Sequence, residues 1–323
     1  MRIIVFGLGA VGGVIAAAVA RSGHEVIGIG RGAMLGAIRA QGLRLRSPEV
    51  DEVVRLDTAA APGEIAFRPD DAILLCMKTQ DTLTALQALR DAGVTDQPVF
   101  CFQNGVANER MALRYFPNVH GATVMMPCNY LVPGEVASLL APRFGIFDIG
   151  RYPGGTDDDD TRLAGVLEDA NFAAFPTPEV MASKYGKLLM NLNNVIEAAF
   201  GPDAKQSAIA PRMRTEAEAV FAAAGIHAAD VGASDPRRKA FAQMKPVPEA
   251  GYRGGSTLQS LLRGGSVETD YLNGEIALLG RLHGVPTPVN AAMTRLGARM
   301  VHEGITPGSL DLATELAALG LQG

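Results

Sequence analysis

Residues 1–13 read Met1-Arg2-Ile3-Ile4-Val5-Phe6-Gly7-Leu8-Gly9-Ala10-Val11-Gly12-Gly13, and this stretch decides the fold. Arg2–Phe6 is short, apolar and rich in β-branched residues, which predicts a buried strand. A helical pattern begins at Ala10 and runs to Ser22. The turn Gly7-Leu8-Gly9-Ala10-Val11-Gly12 fits G-x-G-x-x-G, a weak pattern alone but a specific one between a strand and a helix. There Gly7 permits the tight turn, Gly9 lets backbone approach a pyrophosphate, and Gly12 lets the helix pack against the strand. The amides and dipole at the helix start favour phosphate groups. Gly7, Leu8, Gly9, Ala10, Val11 and Gly12 are therefore candidate cofactor contacts of a Rossmann domain.

The second strand bears on which dinucleotide is bound. Glu25–Ile29 reads as that strand, followed by Gly30-Arg31. NAD-binding domains usually end it with a carboxylate that accepts from the ribose hydroxyls. No carboxylate stands at this tip, and Glu25 lies at the other end. Arg31 does stand there, and its planar fork suits a 2′-phosphate. NADP is expected rather than NAD; the plainer reading of Arg31 is a solvated side chain.

Outward from this turn, strand-like and helical runs alternate. Ala33–Gln41 reads as a helix, Leu43–Leu56 as a hairpin, and Asp71–Cys76 as a strand. Thr79–Arg90 is a helix, Pro98–Phe102 a strand and Asn108–Tyr115 a short helix. Such alternation means βαβ units and a parallel sheet. Ala122–Met126 and Gly145–Ile149 suggest antiparallel strands at its far edge. The acidic run Asp157–Asp160 suits a helix N-terminus, where carboxylates favour the dipole; a metal site is the alternative and is not expected. From Glu179 the texture is helical, with one long run to Phe200 and further helices at Met213–Ala224, Ser256–Leu262, Thr269–His283 and Pro288–Glu303. The expected fold class is α/β: an N-terminal Rossmann domain at 1–178, then an all-helical domain at 179–323.

Composition sets outer bounds. The 323 residues are 48% hydrophobic and 20% charged, with a formal net charge of -5 and no Trp. That mild acidity offers nothing to nucleic acid or an anionic membrane. No window reaches about 18 consecutive apolar residues, so no membrane span is expected. The early glycines interrupt the run that a secretory signal needs, which points to the cytoplasm. Cys76, Cys101 and Cys128 are odd in number and far apart, and the histidines are scattered, so neither a disulfide nor zinc is expected. An apolar helical domain would also suit a homodimer interface.

The helical half carries a polar pattern. Lys187, Asn191 and Asn194 are spaced four and three apart, which on one helix is a shared face. Two amides beside an ammonium can bind a carbonyl and a carboxylate, with the lysine as general acid. A solvated polar stripe fits the spacing as well. Here the sequence resembles the ketopantoate reductase (2-dehydropantoate 2-reductase) family along nearly its whole length. The landmarks are GLGAVGG at 7–13, MKTQ at 77–80, FQNG at 102–105, KLLMN at 187–191, STLQ at 256–259 and ETDYLNG at 268–274, in the family's order. The resemblance implies a Rossmann domain followed by a helical domain, with the active site in a cleft between them.

The resemblance further implies NADPH-dependent reduction of a 2-oxo acid, ketopantoate first among them. Lys187 would be the general acid and Glu268 its acidic partner. Asn104 would lie near nicotinamide and substrate, and Lys78 on the cofactor side. Asn191 and Ser256 match substrate-binding positions, with Asn194 a further candidate, and Arg31 matches a 2′-phosphate ligand. Three positions depart from the pattern: Val195 where the family has its second helix asparagine, Ser260 where it has an aspartate, and Gly265 where a basic residue is common. These departures leave open a related reductase acting on another 2-oxo acid or carbonyl compound. A non-catalytic NADP-binding redox sensor is the alternative of another class.

Overall fold

The computed structural model describes residues 1–248, 250 and 254–320. They fall into two compact units, one drawn from 1–184 and 233–252 and the other from 185–232 and 253–323. A single boundary near residue 178 therefore does not describe the chain, because the first unit takes back a later segment.

The first unit is built on an eight-stranded sheet. Its strands in chain order are β1 (Arg2–Phe6), β2 (Val26–Ile29), β5 (Asp57–Ala59), β6 (Asp71–Leu75), β7 (Val99–Cys101), β8 (Val119–Met125), β12 (Ile146–Arg151) and β13 (Ala173–Pro176). The spatial order is β13-β12-β8-β7-β6-β1-β2-β5. Ile3 of β1 lies opposite Val26 of β2 on one side and Ala72 of β6 on the other, both pairings parallel. Alternation sends Ile3 and Val5 into one core and Ile4 into a second, so both faces of β1 are dry. Among the described residues, the one antiparallel step of this sheet is β8 with β12, from Ile146↔Met125 to Arg151↔His120. The expected antiparallel pair thus exists, but it does not form the edge. β13 does, pairing parallel with β12.

Before residue 178 its helices are α1 (Ala10–Arg21), α2 (Gly32–Gln41), α3 (Thr82–Asp91), α4 (Asn108–Leu113) and α5 (Asp158–Asp169). A second sheet of four strands, β3 (Leu43–Arg46), β4 (Asp51–Val54), β9 (Cys128–Val132) and β10 (Glu135–Ser138), packs on α1. The pairing β3–β4 is the hairpin expected within Leu43–Leu56. The returning segment contributes α9 (Pro236–Phe241) and β14 (Ala242–Met244), which pairs with β11 (Leu140–Pro142). Arg237 anchors it through Asp148, while Arg46 donates to the Pro248 carbonyl at 2.7 Å. These contacts run between residues far apart in sequence, so no local pattern signals the return.

The described part of the second unit is helical: the end of α6 (Val180–Asn191), then α7 (Asn194–Phe200), α8 (Ile209–Ala224), α10 (Ser256–Leu262), α11 (Asn273–His283), α12 (Pro288–His302) and α13 (Leu312–Ala318). The expected single helix from 179 to 200 is broken at Leu192-Asn193. Asn273 explains the break: its Nδ2 donates to the Leu192 carbonyl at 3.3 Å, in place of a continued backbone ladder. Asn273 also donates to Asn290 Oδ1, and Asn290 donates to the Met213 carbonyl and to Glu216. Both amides are fully buried, so each bond is strongly directional in effect. No helix among the described residues is long and apolar enough to cross a membrane.

The acidic run opens α5 as its charge pattern implies. Asp157 accepts from the amides of Asp159 and Asp160, and Asp160 accepts from the Asp157 amide at 2.9 Å, completing a capping box. His120, Asp157 and Asp159 lie close enough to share a cation. Their groups already serve the helix start, Arg151, Arg162, and the neighbours of His120, Asp160 and Asn118. Burial alone would raise the Asp157 pKa, but the Arg151 guanidinium, His120 and the backbone amides hold it below the usual value. Replacing Asp157 by Ala is expected to cost about 1 kcal/mol in urea unfolding. Because the folded-state pKa is lowered, the difference from the parent is full above about pH 4. It should fade as pH falls through the lowered value.

Candidate functional site

Strands β7, β6, β1 and β2 are adjacent and parallel, so their C-terminal ends share one edge of the sheet. Gly7 follows β1, Arg31 follows β2, Lys78 follows β6 and Asn104 follows β7. The four cofactor-side regions expected from sequence thus come to one edge, where ligands of open α/β sheets bind. A cavity of about 500 Å³ opens there, with Gly7, Gly9, Arg31 and Lys78 in its wall.

The three glycines of the turn have different physical reasons. Gly7 has φ +108°, and a Cβ on it would lie 2.7 Å from the Met77 amide. A Cβ on Gly12 would lie 2.1 Å from the Gly7 carbonyl and 2.8 Å from Cys76 Cβ. Both residues are required by the protein's own packing. Gly9 is not: a Cβ there meets nothing within 4 Å. Gly9 is exposed, in the N-cap position of α1, with no side-chain cap over the amides of the first turn. Open space beside uncapped amides is the cradle a pyrophosphate needs, so the residues present fit a dinucleotide. Cys76, beneath Gly12, is a packing atom: burial pushes its thiol far above the ordinary range.

Arg31 is 87% exposed at the tip of β2, with Nη2 3.4 Å from Asp81 Oδ2. Glu25 is turned to Arg68 at 2.8 Å. Sequence reading missed Asp81, a carboxylate in the wall of the same cavity. Lys78 is half-buried and begins a 3-10 turn, Thr79–Asp81. Asn104 is half-buried, and its carbonyl accepts from Asn108 Nδ2 at 3.1 Å and from Thr79 Oγ1 at 3.4 Å.

In the second unit Lys187 is half-buried on α6, with Asn191 one turn further on and buried. Asn194 does not continue their helix. It opens α7 beyond the break, which corrects the single-face reading of the three residues. The fold gives Asn194 another partner: its Nδ2 lies 3.3 Å from Ser256 Oγ at the start of α10. Gly255 makes this approach possible, since a Cβ there would stand 2.9 Å from Asn194 Oδ1 and 2.8 Å from Glu197 Oε2. Glu197, also missed from sequence, is buried and accepts from the Gly255 amide and from Lys205. Glu268 is buried ahead of the 3-10 turn Thr269–Tyr271, and its carboxylate does not cap that turn. Among the departures, Val195 is fully buried, and Ser260 Oγ donates to the Ser256 carbonyl at 2.7 Å.

The sheet, its glycine turn and the cavity at the strand ends define a dinucleotide-binding protein. Residues 3–154 match the family described as Ketopantoate reductase PanE/ApbA, and residues 179–300 match Ketopantoate reductase PanE/ApbA C terminal. The 2-dehydropantoate 2-reductase of Mesorhizobium japonicum is 28% identical, over 94% of this chain and 98% of its own. That of Archaeoglobus fulgidus is 27% identical, over 94% and 99%. The crystal structure of a PanE/ApbA family ketopantoate reductase from Ralstonia eutropha superposes with a TM-score of 0.78 at 28% identity, covering 94% of this chain and 99% of that one. The chain belongs to the ketopantoate reductase family and is a 2-dehydropantoate 2-reductase-like oxidoreductase.

The glycine turn yields a paired test. Gly12→Ala should lower Tm and weaken dinucleotide binding together, because the turn itself must move. Gly9→Ala should leave Tm nearly unchanged yet weaken binding by about tenfold or more, equivalent to about 1.4 kcal/mol. Thermal melts beside fluorescence titration with the reduced dinucleotide separate the two. Equal effects of both variants on Tm would contradict the packing difference.

Proposed function

We propose that this protein reduces 2-dehydropantoate to pantoate with NADPH, a step in making pantothenate and coenzyme A, with Lys187 as general acid. The observation that carries the reading is half-buried Lys187 one turn ahead of buried Asn191 on α6, in a chain that relatives of that name match almost end to end. The reduced nicotinamide, when bound, supplies the hydride. Lys187 donates its proton to the keto oxygen as charge develops there. Partial burial strengthens that interaction relative to water. Glu268 keeps the ammonium in place, and Asn191, Asn194 and Ser256 hold the substrate's polar groups. Asn104 orients the nicotinamide and the substrate. The backbone of Gly7, Leu8, Gly9, Ala10, Val11 and Gly12 holds the pyrophosphate. Lys78 adds positive charge, and Arg31 takes the 2′-phosphate.

One observation favours a second reading. Val195, where the family has an asparagine, is fully buried, and Ser260, where it has an aspartate, donates its hydroxyl to the Ser256 carbonyl. These departures suit a 2-oxo acid with a less polar side chain. We place the protein in the cytoplasm, where free thiols such as Cys76, Cys101 and Cys128 persist. A homodimer through the helical unit accords with the exposed Leu278 and Leu282 on α11.

The deciding experiment follows NADPH oxidation with 2-dehydropantoate and a panel of other 2-oxo acids. Lys187→Ala should lower kcat by about a hundredfold or more while NADPH affinity stays close to the parent value. Unchanged turnover removes Lys187 from the mechanism, and faster turnover of a bulkier 2-oxo acid selects the second reading. Arg31→Ala should weaken NADPH by about tenfold and NADH far less. Equal losses would mean that Arg31 does not meet the 2′-phosphate.

A further inference from the structure

The FQNG turn that carries Asn104 rests on buried polar side chains with no place in the scheme above. Lys184, 3% exposed, donates from Nζ to the Cys101 carbonyl at 3.2 Å, to the Gln103 carbonyl at 3.1 Å and to Glu109 Oε1. Glu109, on α4, is fully buried. Gly121 of β8 lies beside the pair: a Cβ there would stand at ordinary contact distance from both, 3.4 Å from Lys184 Cδ and 3.5 Å from Glu109 Oε1. On the other side Gln103 Nε2 donates to Thr82 Oγ1, Thr82 donates to Asn108 Oδ1, and Asn108 donates to the Asn104 carbonyl. The carbonyls of residues 101, 103 and 104 are thus each held by a buried side chain.

Stability is a poor explanation for this arrangement. Desolvating two charges offsets much of their attraction, and an apolar pair of similar volume is often as stable. What the ammonium supplies is direction: three acceptors around one nitrogen fix where the turn's carbonyls point, and so where its side chains point. We propose that Lys184 is a positioning residue for the reduction, holding the turn 101–104 so that Asn104 is correctly aimed. The proposal rests on the reading that Asn104 acts beside nicotinamide and substrate.

The test uses the full chain with the pair neutralised, Lys184→Met with Glu109→Gln, so that no buried charge is left alone. Three quantities are read: amide hydrogen exchange of a peptide spanning 102–105, kcat against NADPH affinity, and Tm. Exchange in that peptide should rise about tenfold and kcat should fall by about tenfold to a hundredfold, the usual effect of a small misplacement. NADPH affinity should stay within about threefold, because the glycine turn and Arg31 are untouched. A folded variant with unchanged exchange at 102–105 overturns the proposal. Asn104→Ala, assayed in parallel, separates the two layers. Faster exchange with full kcat, while Asn104→Ala is inactive, overturns the positioning role. Full kcat in both variants overturns the reading of Asn104, and the role of Lys184 with it. If the paired variant does not fold, Lys184→Gln with Glu109→Gln, which again leaves no buried charge alone and reaches fewer of the carbonyls, is read by the same exchange and kcat measurements with the same outcomes.

Discussion

The close approach of α1 to the sheet governs the first unit. Gly12 brings the helix against the Gly7 carbonyl and Cys76 with no room for a side chain. That contact sets the start of the helix at the end of β1, with its uncapped amides beside the open space at Gly9. Gly13 repeats the condition on the far side, where a Cβ would stand 2.7 Å from Val136 of the smaller sheet. A helix with small residues on two faces can be clamped between two sheets. The cavity at the strand ends follows from this clamp, and the positions of Lys78, Asn104 and Arg31 follow from the parallel order of β7, β6, β1 and β2.

The second unit uses a different device. Its helices meet through buried amides rather than through glycine contacts alone. Asn273 and Asn290 bond to one another, to backbone carbonyls of Leu192 and Met213, and to Glu216. Buried amides of this kind carry a high cost if unpaired, so they favour one arrangement of the helices over its neighbours. One result is the break between α6 and α7. It separates Asn194 from the face of Lys187 and Asn191, and delivers it to Ser256.

Charge is used in two regimes. At the exposed edge, Arg31 and Asp81 face each other at 3.4 Å in a setting where water screens them and an arriving anion can compete. Beneath the FQNG turn, Lys184 and Glu109 are sealed, and neither can exchange its partner without leaving a buried charge. The first pair suits recognition of a ligand, the second the holding of a fixed geometry.

Much of this was legible in the chain. The strand, glycine turn and helix of residues 2–22, the α/β alternation to Tyr115 and the helical texture after Glu179 follow from period and turn chemistry, which act over a few residues. The grouping of Gly7, Arg31, Lys78 and Asn104 at one edge follows once the strands are known to be parallel. Other features depend on residues far apart in sequence. Asn273 interrupts a helix that its own local pattern would continue, and the segment 233–252 is recovered by β11, Asp148 and Arg46. Lys184 and Glu109 look like ordinary solvated charges on helices until the fold seals them together. The sequence by itself determined the class of fold and the glycine turn, because those are local, and its likeness to the family along the whole chain singled out the lysine to test first. Only the tertiary structure decided where helices break, which charges are buried and which side chains hold the Asn104 turn, because those depend on what the rest of the chain packs against them.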